Sequence, residues 1–142
     1  MDLVRDPELC RVLLVTLPEE TPVNELVETA YNLEDQVGVA LGPVVVNGLY
    51  PDRPGLDRDP VDAAHDAGVE LRDGEADALS AAAAFRRHRV ALQTEQVARL
   101  ADQLPLPQLR LPFLFGAELG PAELDLLAAT LVEELARVGG EP

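Results

Sequence analysis

Three short apolar segments constrain the fold of this chain most strongly. They are residues 12–17 (VLLVTL), 41–46 (LGPVVV) and 109–115 (LRLPFLF), and they contain few polar residues. Nearly continuous apolar runs of this length are typical of strands covered on both faces of a parallel sheet. Because helical patterns separate them, we predict an α/β fold with a parallel sheet of about three strands and flanking helices.

The connecting segments carry helix start and stop signals. Thr21 is predicted to cap a helix that begins at Pro22 and ends before Gly38. A long helix is predicted over residues 76–103, and its apolar positions Leu92, Val97, Leu100 and Leu104 should pack against the sheet. Pro121 is predicted to open a final helix that ends before the two glycines near the carboxyl terminus.

The chain as a whole, residues 1–142, is predicted to be a single partial domain. Residues 51–75 are dense in Pro, Gly and Asp, and they predict an irregular surface excursion with about one helical turn near residues 61–67. Three strands make a thin sheet, and residues 12–17 are too apolar for an ordinary edge strand, since edge strands are normally charged or covered. We therefore expect a neighbouring strand from elsewhere, and self-association or marginal stability without it.

Charge and cysteine content exclude several classes of function. The net charge is −15 and the isoelectric point is near 4.3, which argues against nucleic acid and anionic membranes as partners, because both attract basic surfaces. The single cysteine, Cys10, excludes an internal disulfide and the usual cysteine-based metal sites. No apolar run approaches the length of a membrane span, and the expected location is the cytoplasm.

The common catalytic motifs are absent from the sequence. There is no G-x-x-x-x-G-K-[ST], G-x-G-x-x-G, G-x-S-x-G or H-E-x-x-H, and all eleven basic residues other than histidine are arginine. A P-loop needs a lysine on the terminal phosphates, so this chain has no P-loop. The lack of a glycine-rich turn after the first strand also counts against a small-molecule transferase with an unrelated Rossmann-like sheet.

Candidate binding residues lie at the end of the second apolar segment and within the third. Asn47 ends the second, and Pro112 and Phe113 lie in the third. Ligands of parallel sheets sit at the carboxyl ends of the strands, where an amide could bind the edge of a purine base and a proline and an aromatic could flank its ring. The alternative is that Asn47 satisfies backbone groups of its turn and that Phe113 fills the core.

Two groups of charged residues are weaker candidates for a functional site. Glu19 and Glu20 follow the first strand and are either the solvated start of a helix or a pair of catalytic carboxylates. Arg86, Arg87 and Arg89 form a basic cluster that is typical of a solvated helix face, but it could also pair with an acidic subunit or receive a phosphate.

Three stretches together resemble one family. They are VTLPEETPVNELVETAYNLEDQVGVALGPVVVN (residues 15–47), FRRHRVALQTEQVARL (85–100) and LRLPFLFGAELGPAELDLLAATL (109–131). In this order they are similar to the region after the second switch in the ArsA-type ATPases, which comprise arsenite-pump ATPases and ATPases that target tail-anchored membrane proteins. The resemblance extends from about Asp6 onward and includes Gln93, where the family often has glutamine.

The resemblance implies both a fold and a set of roles. Members of this family are P-loop α/β domains that dimerise and close on Mg-ATP, and this chain would be the C-terminal, adenine-side part. The adenine contact would fall on Asn47, and packing against the base on Pro112 and Phe113. The P-loop, the switch aspartates and the Mg-binding residues belong to a part of the family domain that this sequence lacks.

The function expected from the resemblance is therefore incomplete in this chain alone. We expect an adenine-nucleotide-binding portion of an ArsA-like transporting or targeting ATPase, unable to hydrolyse ATP without a P-loop half or second subunit. It either completes a separately encoded P-loop half or is part of a longer chain that does hydrolyse ATP. Further partners would be a membrane transporter or a hydrophobic client, within a homo- or hetero-oligomer. The alternative is a non-enzymatic, acidic protein-interaction module with a Rossmann-like sheet.

Overall fold

The computed structural model describes residues 4–116 and 118–139, which form a three-stranded sheet flanked by helices. The strands are β1 (Arg11–Thr16), β2 (Ala40–Leu49) and β3 (Gln108–Pro112). The helices are α1 (Glu20–Asn32), α2 (Pro60–Ala67), α3 (Glu75–Gln103) and α4 (Pro121–Gly139), and a π-helical turn (Leu33–Val37) extends α1. The strands are parallel and lie in the order β1-β2-β3. The predicted α/β class, with a parallel sheet and flanking helices, is confirmed.

The start of α1 differs from the prediction. The helix begins at Glu20, with Glu19 in the N-cap position and no side-chain cap, so the cap predicted at Thr21 is wrong. The backbone N–H of Val23 donates to the carbonyl of Glu19 at 3.1 Å, which places Pro22 inside the first turn. Proline is tolerated there because first-turn N–H groups have no acceptor within the helix.

The main core lies between one face of the sheet and two helices. Val44 and Val46 of β2 are buried in this core. They share it with five buried residues from α1, from α3 and from the position that follows α3: Val23, Leu26, Ala30, Leu100 and Leu104. The prediction for the long helix holds at Leu100 and Leu104 but is wrong for Leu92, which is 40% exposed. Leu92 is one residue before Gln93, and that offset turns it about 100° away from the buried stripe.

β1 is one of the two outer strands, and it pairs only with β2 among the described residues. Val15 is the register partner of Val45, which is buried, whereas Val15 itself is 62% exposed. Leu13, on the same face by strand alternation, is 48% exposed. The outer strand therefore presents both a free backbone edge and an apolar face, as its apolar sequence led us to expect.

α4 is joined to β3 by a charged contact. The Glu134 carboxylate accepts from the backbone N–H of Arg110 and from the guanidinium of Arg137, both at 2.8 Å. Arg137 also donates to the carbonyl of Gln108 at 2.9 Å. The hydrogen bond from Arg137, together with that from the Arg110 backbone, lowers the pKa of Glu134 although partial burial opposes the shift. The carboxylate is thus the favoured form in this contact.

The excursion at residues 51–75 is more ordered than predicted. The helical turn predicted near residues 61–67 is the eight-residue helix α2, which is about two turns long. Asp59 caps this helix by accepting from the backbone N–H groups of Val61 at 2.8 Å and Asp62 at 3.3 Å. Pro60 occupies the first turn, and Gly68 ends the helix with a φ of 67°. Asp followed by Pro at the start and Gly at the end are standard helix boundaries, so these signals were readable in the sequence.

Candidate functional site

The carboxyl ends of the three strands meet at one edge of the sheet. Thr16 pairs with Val46, and Leu49 pairs with Pro112, so the residues that follow each strand emerge side by side. The register between β2 and β3 is irregular between Val46 and Leu49. Asn47 and Gly48 occupy this irregularity, which bends β2 at the position where open parallel sheets bind ligands.

Asn47 is half-buried and lines a cleft of about 370 Å³ between β1 and α1. The other lining residues include Thr16, Leu17, Pro22 and Leu26. Within residues 4–116 and 118–139, the Asn47 amide makes no hydrogen bond. The amide therefore does not satisfy the backbone of its own turn, and both its donor and its acceptor are free for a ligand.

Gly48 separates the Asn47 cleft from the residues that follow β3. Its φ is +81°, a backbone conformation that favours glycine. A Cβ atom at this position would lie 3.7 Å from Leu17 Cδ2 and 3.8 Å from Phe113 Cδ2. Phe113 in turn donates its backbone N–H to the carbonyl of Leu49 at 2.7 Å. The Phe113 ring thus lies beside Gly48, the residue that follows Asn47 in β2.

Three aromatic rings form a cluster next to Gly48. The ring centroids of Tyr50 and Phe113 are 4.9 Å apart, those of Tyr50 and Phe115 are 5.1 Å apart, and those of Phe113 and Phe115 are 4.8 Å apart. All three pairs are tilted or edge-to-face, the arrangements that aromatic rings favour. Phe113 is 39% exposed, so it does not fill the core as the alternative interpretation required.

Two arginines of α3 lie over these rings. The Arg86 guanidinium carbon is 4.8 Å from the Phe115 ring centre and 5.5 Å from that of Tyr50, and the Arg89 guanidinium carbon is 5.7 Å from Tyr50. Arg86 also donates to the carbonyl of Pro51 at 2.8 Å. These contacts fix the loop after β2 against α3, and they place positive charge beside an exposed π surface.

The basic cluster of α3 is therefore more than a solvated helix face. Arg89 forms an ion pair with Glu19 at 3.1 Å, which links α3 to the loop after β1. Arg87 donates to the carbonyl of Leu56 in the excursion after β2. Glu19 has a structural partner of its own, and the interpretation of the Glu19-Glu20 pair as a helix entry fits its N-cap position.

Gln93 holds the turn that carries the site. Its side chain is 4% exposed, its Oε1 accepts from the Tyr50 backbone N–H at 2.8 Å, and its Nε2 donates to the Gly48 carbonyl at 3.0 Å. One amide thus satisfies both a donor and an acceptor of the bulged segment, in a buried position where unpaired groups are costly. Gln93 supports the site without facing the cleft.

The predicted residues share an edge of the sheet but border two adjoining surfaces. Asn47 lines the cleft beside β1, which Pro112 and Phe113 do not line. Pro112 is half-buried opposite Leu49, and Phe113 belongs to the aromatic cluster. Gly48, with no side chain, is the boundary between the two surfaces.

The prediction from sequence missed Tyr50, Phe115 and the role of Gln93. One signal was available for Gln93: it stands at helical spacing with Val97 and Leu100, as a polar residue in an apolar stripe. The alternation of Phe113 with Phe115 could have indicated two exposed rings on one side of the chain after β3. The position of the arginines over the rings depends on tertiary packing and left no local signal.

Comparisons with known proteins identify no family, and the described residues offer neither a metal site nor a membrane-spanning helix. A scan against protein-family models and a search of curated proteins gave no match. Across the described residues, no group of three or more His, Cys, Asp or Glu side chains is arranged to hold a metal ion. None of the helices in the described part of the chain is both long enough and apolar enough to cross a membrane.

Proposed function

We propose that this sheet edge binds the base of an adenine nucleotide, as the adenine-side part of an ArsA-like ATPase. The observation that carries the proposal is the Asn47 amide, half-buried and without a hydrogen-bond partner in the described chain, one glycine away from the exposed ring of Phe113. An amide donor and acceptor suit the edge of adenine, and an aromatic ring suits its face. The base would lie across Gly48, with its edge toward Asn47 and its face against Phe113, and Pro112 would complete the apolar side of this site.

The residues of this chain fit the base of ATP but not its phosphates. There is no lysine in the sequence, and the described residues contain no cluster suited to Mg²⁺. Phosphate and Mg²⁺ contacts would therefore come from a P-loop-bearing half or a second subunit. Under this proposal the chain binds and orients the base, and hydrolysis depends on the partner.

The free edge of β1 is the surface proposed for that partner. A strand added to this edge would pair with the unpaired backbone groups of β1, and it would cover Leu13 and Val15. A transporter or a hydrophobic client would then be driven by the complete, cytoplasmic, oligomeric ATPase.

We expect nucleotide binding to depend on both proposed base contacts. A fluorescent ATP analogue would be titrated into the chain, with and without a P-loop-bearing fragment of an ArsA-type ATPase. In the presence of the fragment, Asn47→Ala should weaken binding by about 3- to 10-fold for each hydrogen bond that its amide makes to the base. Phe113→Ala should weaken it by about 5-fold or more, since stacking on an aromatic contributes about 1–3 kcal/mol per base.

Matched controls exist on the helices. Asn24→Ala on α1 and Phe85→Ala on α3 remove the same groups from exposed positions outside the sheet edge, and they should leave the affinity unchanged. Equal effects at Asn47 and Asn24, and at Phe113 and Phe85, would refute base binding at this edge. Binding that needs no partner fragment would instead refute the division of labour between two halves.

The exposed apolar face of β1 favours a second candidate function. In a non-enzymatic interaction module, Leu13 and Val15 would contact a protein partner directly, and the Asn47 cleft would bind no ligand. Both candidates use the same strand edge, but this one predicts no nucleotide binding under any condition. Nucleotide binding therefore distinguishes them.

Both candidates predict that the isolated chain self-associates through β1. Val15→Lys should weaken that association by about tenfold or more, because burying a valine contributes about 1.5 kcal/mol and the charge opposes burial. Val132→Lys on α4, at a comparably exposed position, is the control. Sedimentation velocity at several concentrations measures the effect. A strictly monomeric wild-type chain with slow amide exchange along β1 would contradict the expectation.

A further inference from the structure

An apolar groove lies between α2 and the amino-terminal half of α3. Its volume is about 350 Å³. α2 contributes Ala63 and Ala67, α3 contributes Leu79 and Ala83, and the connection between the helices contributes Val69. Neither the proposed nucleotide contacts nor the β1 edge involves these residues.

The groove is open to solvent although its walls are apolar apart from Arg58, which is paired with Asp66. Val69 is 56% exposed and Leu79 is 49% exposed. The alanines on both helices leave room between the backbones, where larger residues would have closed the gap. Exposed apolar grooves between two helices commonly receive the apolar face of a third helix.

The charge around the groove selects the type of partner. Residues 51–79 contain nine carboxylates against three arginines, a net charge of −6. Two of the arginines are already paired, Arg58 with Asp66 at 2.5 Å and Arg72 with Glu75 at 3.9 Å. The carboxylates next to lining residues, such as Asp57 and Glu70, are exposed. The surroundings of the groove are therefore negative and attract a basic partner.

A second copy of this chain is a poor occupant of the groove. Two copies that met groove to groove would each bring residues 51–79, with a net charge of −6, to the interface. Bringing two such surfaces together costs electrostatic free energy, whereas a helix with lysine or arginine beside its apolar stripe gains it.

We infer that the α2–α3 groove is a docking site for a basic amphipathic helix of another protein. Its apolar side chains, spaced at i, i+3 or i+4 and i+7, would enter between Ala63, Val69 and Leu79. Its basic residues would face the carboxylates around the groove. This inference stands independently of nucleotide binding, since it uses none of the same residues.

The test uses a synthetic, fluorescently labelled helical peptide of about five turns. It carries a leucine stripe flanked by lysines, and fluorescence anisotropy measures its affinity for the full chain. A peptide with every lysine replaced by glutamate should bind at least about tenfold more weakly, as should a scrambled peptide of the original composition. Affinity should also fall as salt is raised, because the charges are exposed.

Two variants of the chain locate the binding surface. Leu79→Gln should weaken peptide binding by about fivefold or more, while Leu124→Gln, at an exposed position on α4, should not change it. Far-UV circular dichroism checks that both variants are folded. Equal binding of the scrambled peptide, or equal affinities of the two variants, would overturn the inference. Loss of self-association in Leu79→Gln without any peptide binding would overturn it in favour of a dimer interface.

Discussion

Gln93→Leu is expected to lower the free energy of unfolding by about 2–4 kcal/mol. The substitution preserves the approximate size of the side chain but removes both groups that satisfy the bulged end of β2. The Tyr50 N–H and the Gly48 carbonyl would lose partners at 2.8 and 3.0 Å. A buried polar group without a partner costs about 1–3 kcal/mol, and here two are left.

Urea denaturation measures this change, and hydrogen exchange locates it. The Tyr50 amide should exchange faster in the variant than in the wild-type chain, because its acceptor is gone. Gln36→Leu is the matched control, since Gln36 is exposed and bonds only to Asn32 within the described residues. That control should change the unfolding free energy by less than about 0.5 kcal/mol. A similar small change for Gln93→Leu would show that the turn after β2 does not depend on this amide.

Leu100→Ala is expected to lower the free energy of unfolding by about 2–5 kcal/mol. Leu100 is 1% exposed and lies in the core that α1 and α3 form with β2. Truncating it leaves a cavity that neighbouring side chains fill only in part, and the loss of burial and the cavity both destabilise the fold. Chemical or thermal unfolding measures the change.

Leu92→Ala makes the same chemical change on the same helix. Because Leu92 is 40% exposed, the loss should be below about 1 kcal/mol. The difference between the two variants tests the rotational setting of α3 on the sheet. Equal losses would mean that α3 packs in a different orientation, and the contacts of Gln93 and Arg86 with the loop after β2 would then also be in doubt.

Much of the fold could be predicted because the strands are apolar throughout. The runs around Val15, Val45 and Leu109 are apolar at nearly every position, which predicts buried strands. The order of strands and helices along the chain therefore follows from the sequence pattern alone. The boundaries were less predictable. Thr21 looked like a cap, but Glu19 occupies that position, because the backbone turns into the helix directly after Pro18. The π-helical turn after α1 had no sequence signal that we recognised.

The sequence was enough to predict which edge of the sheet carries the candidate residues. It was not enough to predict which side chains contact one another there. That Asn47 and Phe113 emerge together follows from parallel strands, whose carboxyl ends share one side of the sheet. That they border separate surfaces follows from the bulge at Gly48, which sequence alone did not reveal. The stacking of Arg86 on Tyr50 depends on where α3 crosses the sheet.

A crystal structure of this chain in complex with a P-loop-bearing fragment and a non-hydrolysable ATP analogue would show where the adenine base binds. We expect the adenine edge within hydrogen-bonding distance, about 3 Å, of the Asn47 amide, with the ring against Phe113. We also expect a strand of the partner paired with β1. An adenine bound elsewhere, with the Asn47 side chain directed away from it, would refute base binding at this sheet edge.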